Sequence, residues 1–479
     1  MKTDRVAKTA LAAGLSASAV VAQSACSTVL VPTYTPPAVA SGWQAQLIVG
    51  GLTKPRSIEF DSEGNLLVVE SGKGVTRITF ADNGGTCLTA SQSSLLLDDK
   101  TLNHGLAVSN DGKTIYASTV EAVFAYDNYD AKAGTVTTQG RSVIANMSNN
   151  DLVTRTLLMS KKKDGTLLVS RGSADANAAN AQIVSSGLSQ IRAFDLTNLT
   201  SGSKAYNYNN DGLVLGWGLR NSVGVGEHPV TGGIYAVENS VDGATRDGKD
   251  VHENNPGEEL NFFGYLNGTT SQTQGKNFGY PHCYAVWDVS EIPDNAGLTV
   301  GQQFAIQENS TLSDEICAEK YIAPRLTFPA HYSPLDIKFS SDGATAYITF
   351  HGSFDKTNPV GYRLSSVAFN AQTGEPTASA DSTSALTDIM TSPNSTACPS
   401  GCFRPVGLAW DKAGRLWLTS DTTGEIYVLQ QSTSAPSSTA SGTIVTPTAS
   451  AKNAAGLNWS WETKVLGYAA VFVLGAWLL

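Results

Sequence analysis

The sequence predicts an all-β protein folded as a six-bladed β-propeller. Its 45 glycines and only 15% charged residues accompany short Val, Leu, Ile and Tyr runs between glycine turns, which is typical of β-sheet proteins. A strand pair around a turn glycine recurs six times, in the stretches 55–71, 103–119, 154–173, 220–239, 333–353 and 404–421. Because one such pair cannot bury both of its faces alone, the repetition indicates a propeller.

The first segment of the chain, residues 1–22, is predicted to be a secretory signal peptide. Basic residues precede the apolar run 9–22, and its end, Val20-Val21-Ala22, suits signal peptidase. We therefore expect an exported protein whose propeller domain occupies residues 23–430.

Six cysteines follow this signal, and an even number in an exported chain predicts disulfides. Several pairings are open, of which we expect Cys26–Cys87, Cys283–Cys317 and Cys398–Cys402. A zinc site is disfavoured, because the Cys398-x3-Cys402 spacing has no second pair at finger spacing. The chain is also expected to be a glycoprotein, with sequons at Asn146, Asn198, Asn267, Asn309 and Asn394.

Within the propeller domain, each copy has an alternating apolar strand, a glycine turn and a second apolar strand. The intervals from Gly165 to Gly233 and from Gly233 to Gly343 are longer than blade strands require, so they must hold inserted loops. Propellers place such loops around the central channel, where a ligand can bind. Functional residues are therefore expected where the blade strands begin and in the insertion 240–330.

Two segments follow the propeller. Residues 431–452 are rich in Ser, Thr, Ala and Pro, which predicts an O-glycosylated stalk. Residues 453–479 begin with small residues and end in the apolar run 465–479, which is shorter than the ~20 residues of a spanning helix. This pattern favours a GPI-anchor signal, with Asn453 as the attachment residue. We expect a monomer outside the cell, held to the membrane by this lipid anchor.

The charge balance argues against a nucleic-acid partner. The net charge is −10 and the pI is near 5.1, whereas phosphate binding needs clustered Lys and Arg. The one basic run, Lys161-Lys162-Lys163, lies at a predicted turn and is typical of solvated charge.

Polar residues recur where the first strand of each copy begins: Arg56, His104, Arg155, Arg220-Asn221, His331 and Arg404. In a propeller these positions converge on the channel, and several guanidinium groups aimed at one point would bind carboxylates. The alternative is that each arginine pairs with an acid or a carbonyl of a neighbouring blade. The segment 252–264, HENNPGEELNFFG, adds oxygen ligands that suit Ca²⁺, although acidic Pro-Gly turns are usually solvated loops.

Six segments, in order within residues 45–429, carry a family resemblance: LRNSVGVG, NNPGEELNFFG, KNFGYPHCY, PAHYSPLDIKF, FHGSFDKTNPVGYRL and FRPVGLAWD. They resemble the glucose/sorbosone dehydrogenase family, most closely its fungal branch of secreted pyrroloquinoline quinone (PQQ) dependent pyranose dehydrogenases. The resemblance implies a propeller that holds PQQ and Ca²⁺ in its channel and oxidises an aldose by hydride transfer to the quinone. It also implies an external electron acceptor, such as a haem protein.

The resemblance assigns roles to the residues at matching positions. PQQ binding is implied for Arg220, Asn221, His331, Lys356 and Arg404. Arg220 would also be catalytic, donating to the quinone oxygen as negative charge develops there. Main-chain carbonyls near Asn255 and Pro256 match the calcium ligands, and Glu258 stands where the family has a substrate-contacting acid. The segment GSFDK departs from Gly-Ser-Trp-Asn-Arg, so Lys356 keeps the charge of Arg but loses its bidentate fork.

The catalytic base is where this sequence departs most from the family pattern. The family has His-x-Thr-Arg, whose His takes the sugar's hydroxyl proton, whereas this chain has Leu152-Val153-Thr154-Arg155. Leucine cannot accept a proton, so His104 is the predicted substitute base. Alternatively the protein binds PQQ or sugar without turnover, or the register differs and leaves Asp151 as the nearby acceptor. We expect a weakened or altered dehydrogenase.

A metal-dependent sugar lactonase is a further alternative, because propellers also hold metal ions that activate water. Such an enzyme needs several side-chain carboxylates around the ion. The sequence offers adjacent carboxylates clearly only at Glu258-Glu259.

Overall fold

The computed structural model describes residues 26, 28–174, 179–200, 202–432 and 443–445. Six sheets form blades around a central channel, which confirms the predicted six-bladed β-propeller. Each repeat copy supplies the two inner strands of one blade. The first strand of each blade contacts the first strand of the next, and blade 6 contacts blade 1 to close the ring.

The first three blades have these strands, given from the channel outward. Blade 1 has Pro55–Phe60, Leu66–Glu70, Gly74–Asp82 and Leu88–Leu97. Blade 2 has Leu106–Val108, Ile115–Ser118, Val123–Tyr126, Arg141–Ala145 and Tyr206–Asn207. Blade 3 has Leu157–Met159, Thr166–Arg171, Gln190–Asp195, Leu213–Trp217 and Lys276–Asn277.

The other three blades follow the same pattern. Blade 4 has Ser222–Glu227, Gly233–Glu238, Glu258–Tyr265 and Leu326–Phe328. Blade 5 has Pro334–Phe339, Thr345–Phe350, Arg363–Asn370, Leu386–Thr391 and Ala38–Val39, with Glu375–Pro376 paired to its third strand. Blade 6 has Pro405–Trp410, Leu416–Ser420, Glu425–Gln431, Trp43–Val49, Thr28–Leu30 and Thr443–Val445.

Short elements lie in the loops between the blade strands. The small hairpins pair Tyr129–Asp130 with Thr135–Val136, Thr245–Arg246 with Lys249–Asp250, and Cys283–Ala285 with Gln303–Ala305. The 3-10 turns are Ala179–Gln182, Val184–Ser186, Val289–Glu291 and Ser395–Ala397. Asp314–Lys320 is the one α-helix in the described ranges; it begins after Ser313, whose side chain accepts a hydrogen bond from the Ile316 N–H.

The repeat has this sequence pattern because of how its strands are buried. The second strand of each blade is covered on both faces by the neighbouring blades, so its apolar side chains are buried on both faces, as in Leu66–Glu70. Between the two inner strands, a glycine adopts positive φ in every blade; these are Gly64, Gly112, Gly165, Gly232, Gly343 and Gly414, at φ +67° to +85°. In blade 4 the turn glycine is thus Gly232 and not Gly233, which begins the second strand. Other residues are strained in this conformation, which explains the glycine in each copy.

The hydrophobic core is divided among the interfaces between blades. Between blades 4 and 5, for example, Tyr235 packs with Phe339 and Phe369 at ring-centroid distances of 5.8 and 5.3 Å. The insertion 240–330 has a separate apolar cluster that includes Val241, Tyr280 and Phe304. The insertion therefore has an apolar core of its own.

All three predicted disulfides are confirmed. The Cα atoms of the Cys26–Cys87, Cys283–Cys317 and Cys398–Cys402 pairs are 5.2, 5.7 and 5.2 Å apart. Across the described ranges, we find no helix with the length and apolar character needed to cross a membrane. The predicted signal peptide 1–22, most of the stalk 431–452 and the GPI-anchor signal 453–479 lie outside the described residues.

Removing the disulfide of the insertion is expected to destabilise the protein more than removing the shortest disulfide. Cys283 and Cys317 are 34 positions apart, whereas Cys398 and Cys402 are 4 apart. Chain-entropy arguments give about 4 kcal/mol for the first and about 2 kcal/mol for the second. Thermal unfolding of the two double-alanine variants would test this. A larger loss of Tm in the Cys398→Ala/Cys402→Ala variant would contradict it.

Candidate functional site

The strand beginnings singled out in the sequence lie on one face of the propeller, which we call the top face. In each blade the first and second strands are antiparallel, as in the pairs Pro55–Glu70, Ser222–Glu238 and Pro405–Ser420. The start of each first strand therefore lies beside the end of the second. Both kinds of position contribute side chains to the channel mouth.

Arg220 is fixed at the start of the first strand of blade 4 and is 7% exposed. Its guanidinium donates to Asp242 Oδ2 at 2.9 Å and to the main-chain oxygen of Ser240. Its main-chain N–H donates to Glu238 Oε1 at 2.6 Å. The Nε atom is buried and has no hydrogen-bond partner among the described residues. The guanidinium is therefore held in place by its terminal nitrogens, and its Nε donor is unpaired among the described residues.

Glu258 lies beside Arg220 in the third strand of blade 4 and is 4% exposed. Its two oxygens accept hydrogen bonds from the main-chain N–H groups of Ser240, at 2.8 Å, and Ser333, at 3.0 Å. Burial raises the pKa of Glu258 to about 7, against these two hydrogen bonds. The carboxyl group is therefore partly protonated at neutral pH and can accept or donate a hydrogen bond.

The neighbouring Glu259 faces the other side of the same strand, because side chains alternate along a strand. It accepts from Asn261 Nδ2 at 2.8 Å, and burial raises its pKa to about 7. Burial and the charge of Glu259 raise the pKa of Glu238 well above its ordinary value. Glu258 and Glu259 thus cannot converge on one ion.

His331 and Lys356 both contact the segment predicted to bind calcium. His331 adopts φ +64°, and its Nε2 donates to the main-chain oxygen of His252 at 2.5 Å. Lys356 Nζ donates to the main-chain oxygen of Glu253 and to Asn254 Oδ1, the latter at 3.1 Å. Both side chains therefore lie at the start of the 254–258 turn.

Among the described residues, the Asn255 side chain makes hydrogen bonds only to the main chain of nearby residues. It is fully buried, accepts from the main-chain N–H groups of Trp287 and Asp288, and donates to the oxygen of Asp288 at 2.9 Å. The Asn255–Pro256 peptide bond is cis. Over the described part of the chain, no group of three or more His, Cys, Asp or Glu side chains could hold a metal ion. A hard cation here would therefore depend on main-chain carbonyls near Asn255 and Pro256.

A second group of polar residues crosses the channel mouth, and we call it the channel row. It consists of His351, Asp421, Arg56 and His104, from blades 5, 6, 1 and 2. His351 Nε2 is 2.8 Å from Asp421 Oδ1, Arg56 Nη1 donates to Asp421 Oδ2 at 2.5 Å, and Arg56 Nε donates to His104 Nδ1 at 3.2 Å.

Arg404 stands beside this row. Its Nε donates to the main-chain oxygen of His351 at 3.1 Å, and its Nη2 to that of Gly352 at 2.9 Å. The guanidinium carbon lies 5.7 Å from the centroid of the Tyr362 ring. The main-chain N–H of His351 donates to the main-chain oxygen of Ser333 at 2.8 Å. The channel row therefore meets Arg220 and its neighbours near His331.

Arg155 is fully buried, and its guanidinium binds the loop that precedes its strand. It donates to the main-chain oxygens of Met147, at 2.6 Å, and Leu152, at 3.0 Å, and to the Asn149 side chain. Burial, and then the charge of Arg171, lowers its pKa to about 9. Arg155 thus binds the loop that precedes its own strand, whereas the alternative stated above expected an acid or a carbonyl of a neighbouring blade.

Leu152 lies next to Asn221 at the position predicted for the base. A Cβ built on Gly172 would be 2.8 Å from Asn221 Oδ1 and 2.9 Å from Leu152 Cβ, so both side chains flank this glycine. Leu152 is half-buried and adopts φ +46°. The residue without a proton acceptor thus stands beside the Arg220-Asn221 pair.

Reasoning from the sequence missed Asp242, Glu238, His351 and Asp421. Three of them lie at or just after the end of the second strand of a blade: Glu238, His351 and Asp421. Because the first and second strands are antiparallel, these positions lie beside the start of the first strand. Extending the search from strand starts to the ends of their partners would have found these three. Asp242 belongs to the loop that follows, and no pattern in the sequence marks it.

The chain matches the TrAA12-like family over residues 37–432. It is 53% identical over 414 residues, 86% of this chain and 93% of the relative, to a pyrroloquinoline quinone-dependent sugar dehydrogenase of Hypocrea jecorina. It is also 36% identical over 407 residues, 82% of this chain, to a pyrroloquinoline quinone-dependent pyranose dehydrogenase of Coprinopsis cinerea. The chain spans about half (54%) of the length of that relative.

Solved structures agree with these relatives. The calcium structure of the Trichoderma reesei carbohydrate-active enzyme of family AA12 superposes with a TM-score of 0.82 at 54% identity, covering 85% of this chain and 100% of that one. The holo form of the PQQ domain of Coprinopsis cinerea pyranose dehydrogenase gives 0.78 at 34%, covering 84% and 99%. The resemblance inferred from the sequence is thus confirmed, and the chain belongs to the TrAA12-like family.

Proposed function

We propose that this protein is a secreted, PQQ- and calcium-dependent sugar dehydrogenase that oxidises an aldose and passes electrons to an external acceptor. The names of its relatives support PQQ as cofactor and a sugar as substrate. The observation that carries the proposal is the Arg220 guanidinium. It is held by Ser240 and Asp242, and its buried Nε donor has no partner in the described chain.

The residues present fit such a cofactor. PQQ, when bound, supplies a two-electron acceptor for the hydride of the sugar. Arg220 would donate to the quinone oxygen and stabilise charge that develops there. Asn221 and His331 would line the cofactor, and Arg404 and Lys356 would attract its carboxylates.

Calcium and sugar would lie at the same channel mouth. Main-chain oxygens near Asn255 and Pro256 would hold Ca²⁺, which prefers oxygen ligands. Glu258, with its pKa near 7, would hydrogen-bond the sugar. Leu152 leaves the family's base position without a proton acceptor, and we therefore propose a weakened or altered dehydrogenase.

The cellular setting is part of the proposal. The asparagines of the five sequons named above, Asn146, Asn198, Asn267, Asn309 and Asn394, are exposed, which suits a glycoprotein outside the cell. We propose that a GPI anchor attached at Asn453 holds a monomeric enzyme at the cell surface.

PQQ binding tests the proposal directly. Titration of the purified protein with PQQ in the presence of Ca²⁺ is expected to shift the cofactor's absorption at micromolar concentration. Arg404→Ala should weaken binding about tenfold or more, because it removes a charge that would face a carboxylate. Arg141→Ala is the matched control, since Arg141 binds Asp127 in blade 2.

The competing functions predict different outcomes. A lactonase would hydrolyse sugar lactones, yet Glu258 and Glu259 face opposite sides of their strand. A protein that binds without turnover would take up PQQ but reduce no dye when an aldose is added. Failure to bind micromolar PQQ with calcium present would exclude a PQQ-dependent enzyme.

A further inference from the structure

The channel row contains a histidine whose free nitrogen is set by its neighbour. His351 Nε2 lies 2.8 Å from Asp421 Oδ1. Burial opposes ionisation of Asp421, but His351 and Arg56 hold its pKa well below the usual range. An ionised carboxylate only accepts hydrogen bonds, so Nε2 carries the proton and Nδ1 carries the lone pair of the neutral ring.

The lone pair of His351 is free to accept a proton. Among the described residues, no group hydrogen-bonds its Nδ1 atom. The side chain is 16% exposed, at the mouth of the channel between Arg404 and the row. His351 thus has the three properties of a general base: a free basic nitrogen, access from the channel and an acid that stabilises its charged form.

His104, the base predicted from the sequence, has the opposite arrangement. Its Nδ1 accepts a hydrogen bond from Arg56 Nε at 3.2 Å, so its lone pair is already used and its other nitrogen carries the hydrogen. It is only 2% exposed. Burial and the charge of Arg56 lower its pKa well below the ordinary value.

We propose that His351, oriented by Asp421, is the catalytic base that compensates for Leu152. This inference rests on the proposed function. With PQQ bound as the two-electron acceptor, the hydroxyl proton of the sugar would pass to His351 Nδ1 as the sugar carbon loses its hydride to the quinone and a C=O bond forms. The imidazolium, stabilised by Asp421, then releases the proton to water. Asp421 is a positioning residue.

The pH dependence follows from the charges around the ring. Burial lowers the pKa of His351, Asp421 raises it, and Arg404 and Arg56 lower it, with a net decrease. The ring is therefore neutral at neutral pH and able to accept a proton. Activity is expected to be lost as the pH falls through the pKa of His351.

The first test replaces His351 by glutamine, whose amide can still donate to Asp421 but cannot accept a proton. kcat for aldose oxidation should fall by about 10²–10⁴, as is typical for loss of a general base, while PQQ affinity stays within about threefold. His282→Gln, which changes an exposed histidine, is the control. If the wild type is active and the His351→Gln variant is equally active, the inference is overturned while the proposed function stands. Loss of activity in His104→Gln but not in His351→Gln would also overturn the inference.

A second test does not depend on turnover. ¹⁵N NMR of histidine-labelled protein without cofactor should show His351 as the Nε2–H tautomer, and an Nδ1–H tautomer would overturn the inference. In the active enzyme, Asp421→Asn should move the acidic limb of the kcat profile to lower pH, because the charge that raises the pKa of His351 is gone. A wild type that oxidises no aldose would instead overturn the proposed function.

Discussion

Replacing Arg220 by lysine should lower kcat for aldose oxidation by about 10²–10³, the usual effect of removing one donor aimed at developing negative charge. The guanidinium donates to Ser240 and Asp242 with its terminal nitrogens, and its buried Nε has no partner among the described residues. An ammonium group has a single nitrogen and cannot serve these partners in the same geometry. The loss should therefore fall on the chemical step.

Steady-state kinetics with saturating PQQ and Ca²⁺ would measure this effect. Glu238 accepts a hydrogen bond from the main-chain N–H of residue 220, so the substitution leaves that buried carboxyl paired. Arg141→Lys provides a matched control on the outer part of blade 2. A kcat within threefold of the wild type, with the cofactor bound, would show that Arg220 does not act on the reacting atoms.

Replacing Leu152 by histidine should raise kcat about tenfold or more, a barrier change of ~1.4 kcal/mol per tenfold. The position flanks Gly172 together with Asn221, and it is half-buried. A histidine there would supply a proton acceptor beside Asn221, at the position where the family pattern has its base. Residue 152 adopts φ +46°, a conformation in which histidine is enriched.

The same substitution in the His351→Gln background separates the two bases. If both positions take the same proton, Leu152→His should restore more activity there than it adds to the wild type, because the effects of coupled residues are not additive. Kinetics of the four proteins in this cycle, with one aldose and fixed PQQ, would measure the coupling. An unchanged rate in both backgrounds would show that residue 152 does not reach the substrate.

Much of the fold could be predicted because each repeat copy is a local pattern. The turn glycines mark positions that need positive φ, and the apolar runs mark strands buried between blades. The six inner strand pairs were therefore found from the sequence. The outermost strands were not, since segments such as Ala38–Val39 and Lys276–Asn277 are only two residues long and come from distant parts of the chain.

The site was less predictable because its contacts are long-range. Arg155 and Arg220 begin their strands in the same way, yet one binds its own loop and the other is held by Asp242. Which carboxylate meets which arginine depends on the loops after the second strands. Likewise, only the three-dimensional structure shows that Arg56 occupies the basic nitrogen of His104 and that Asp421 leaves the Nδ1 atom of His351 free.

The closure of blade 6 constrains the order of events during synthesis of the protein. Its fourth strand, Trp43–Val49, pairs with Glu425–Gln431, so that Trp43 lies opposite Gln431. Closing a loop on the order of 400 residues costs about 5 kcal/mol in chain entropy beyond a constant term. The ring therefore cannot be completed until almost the whole propeller has left the ribosome. A chain that stops within the last blade would leave Trp43–Val49 as an unpaired edge, open to aggregation and recognisable by chaperones.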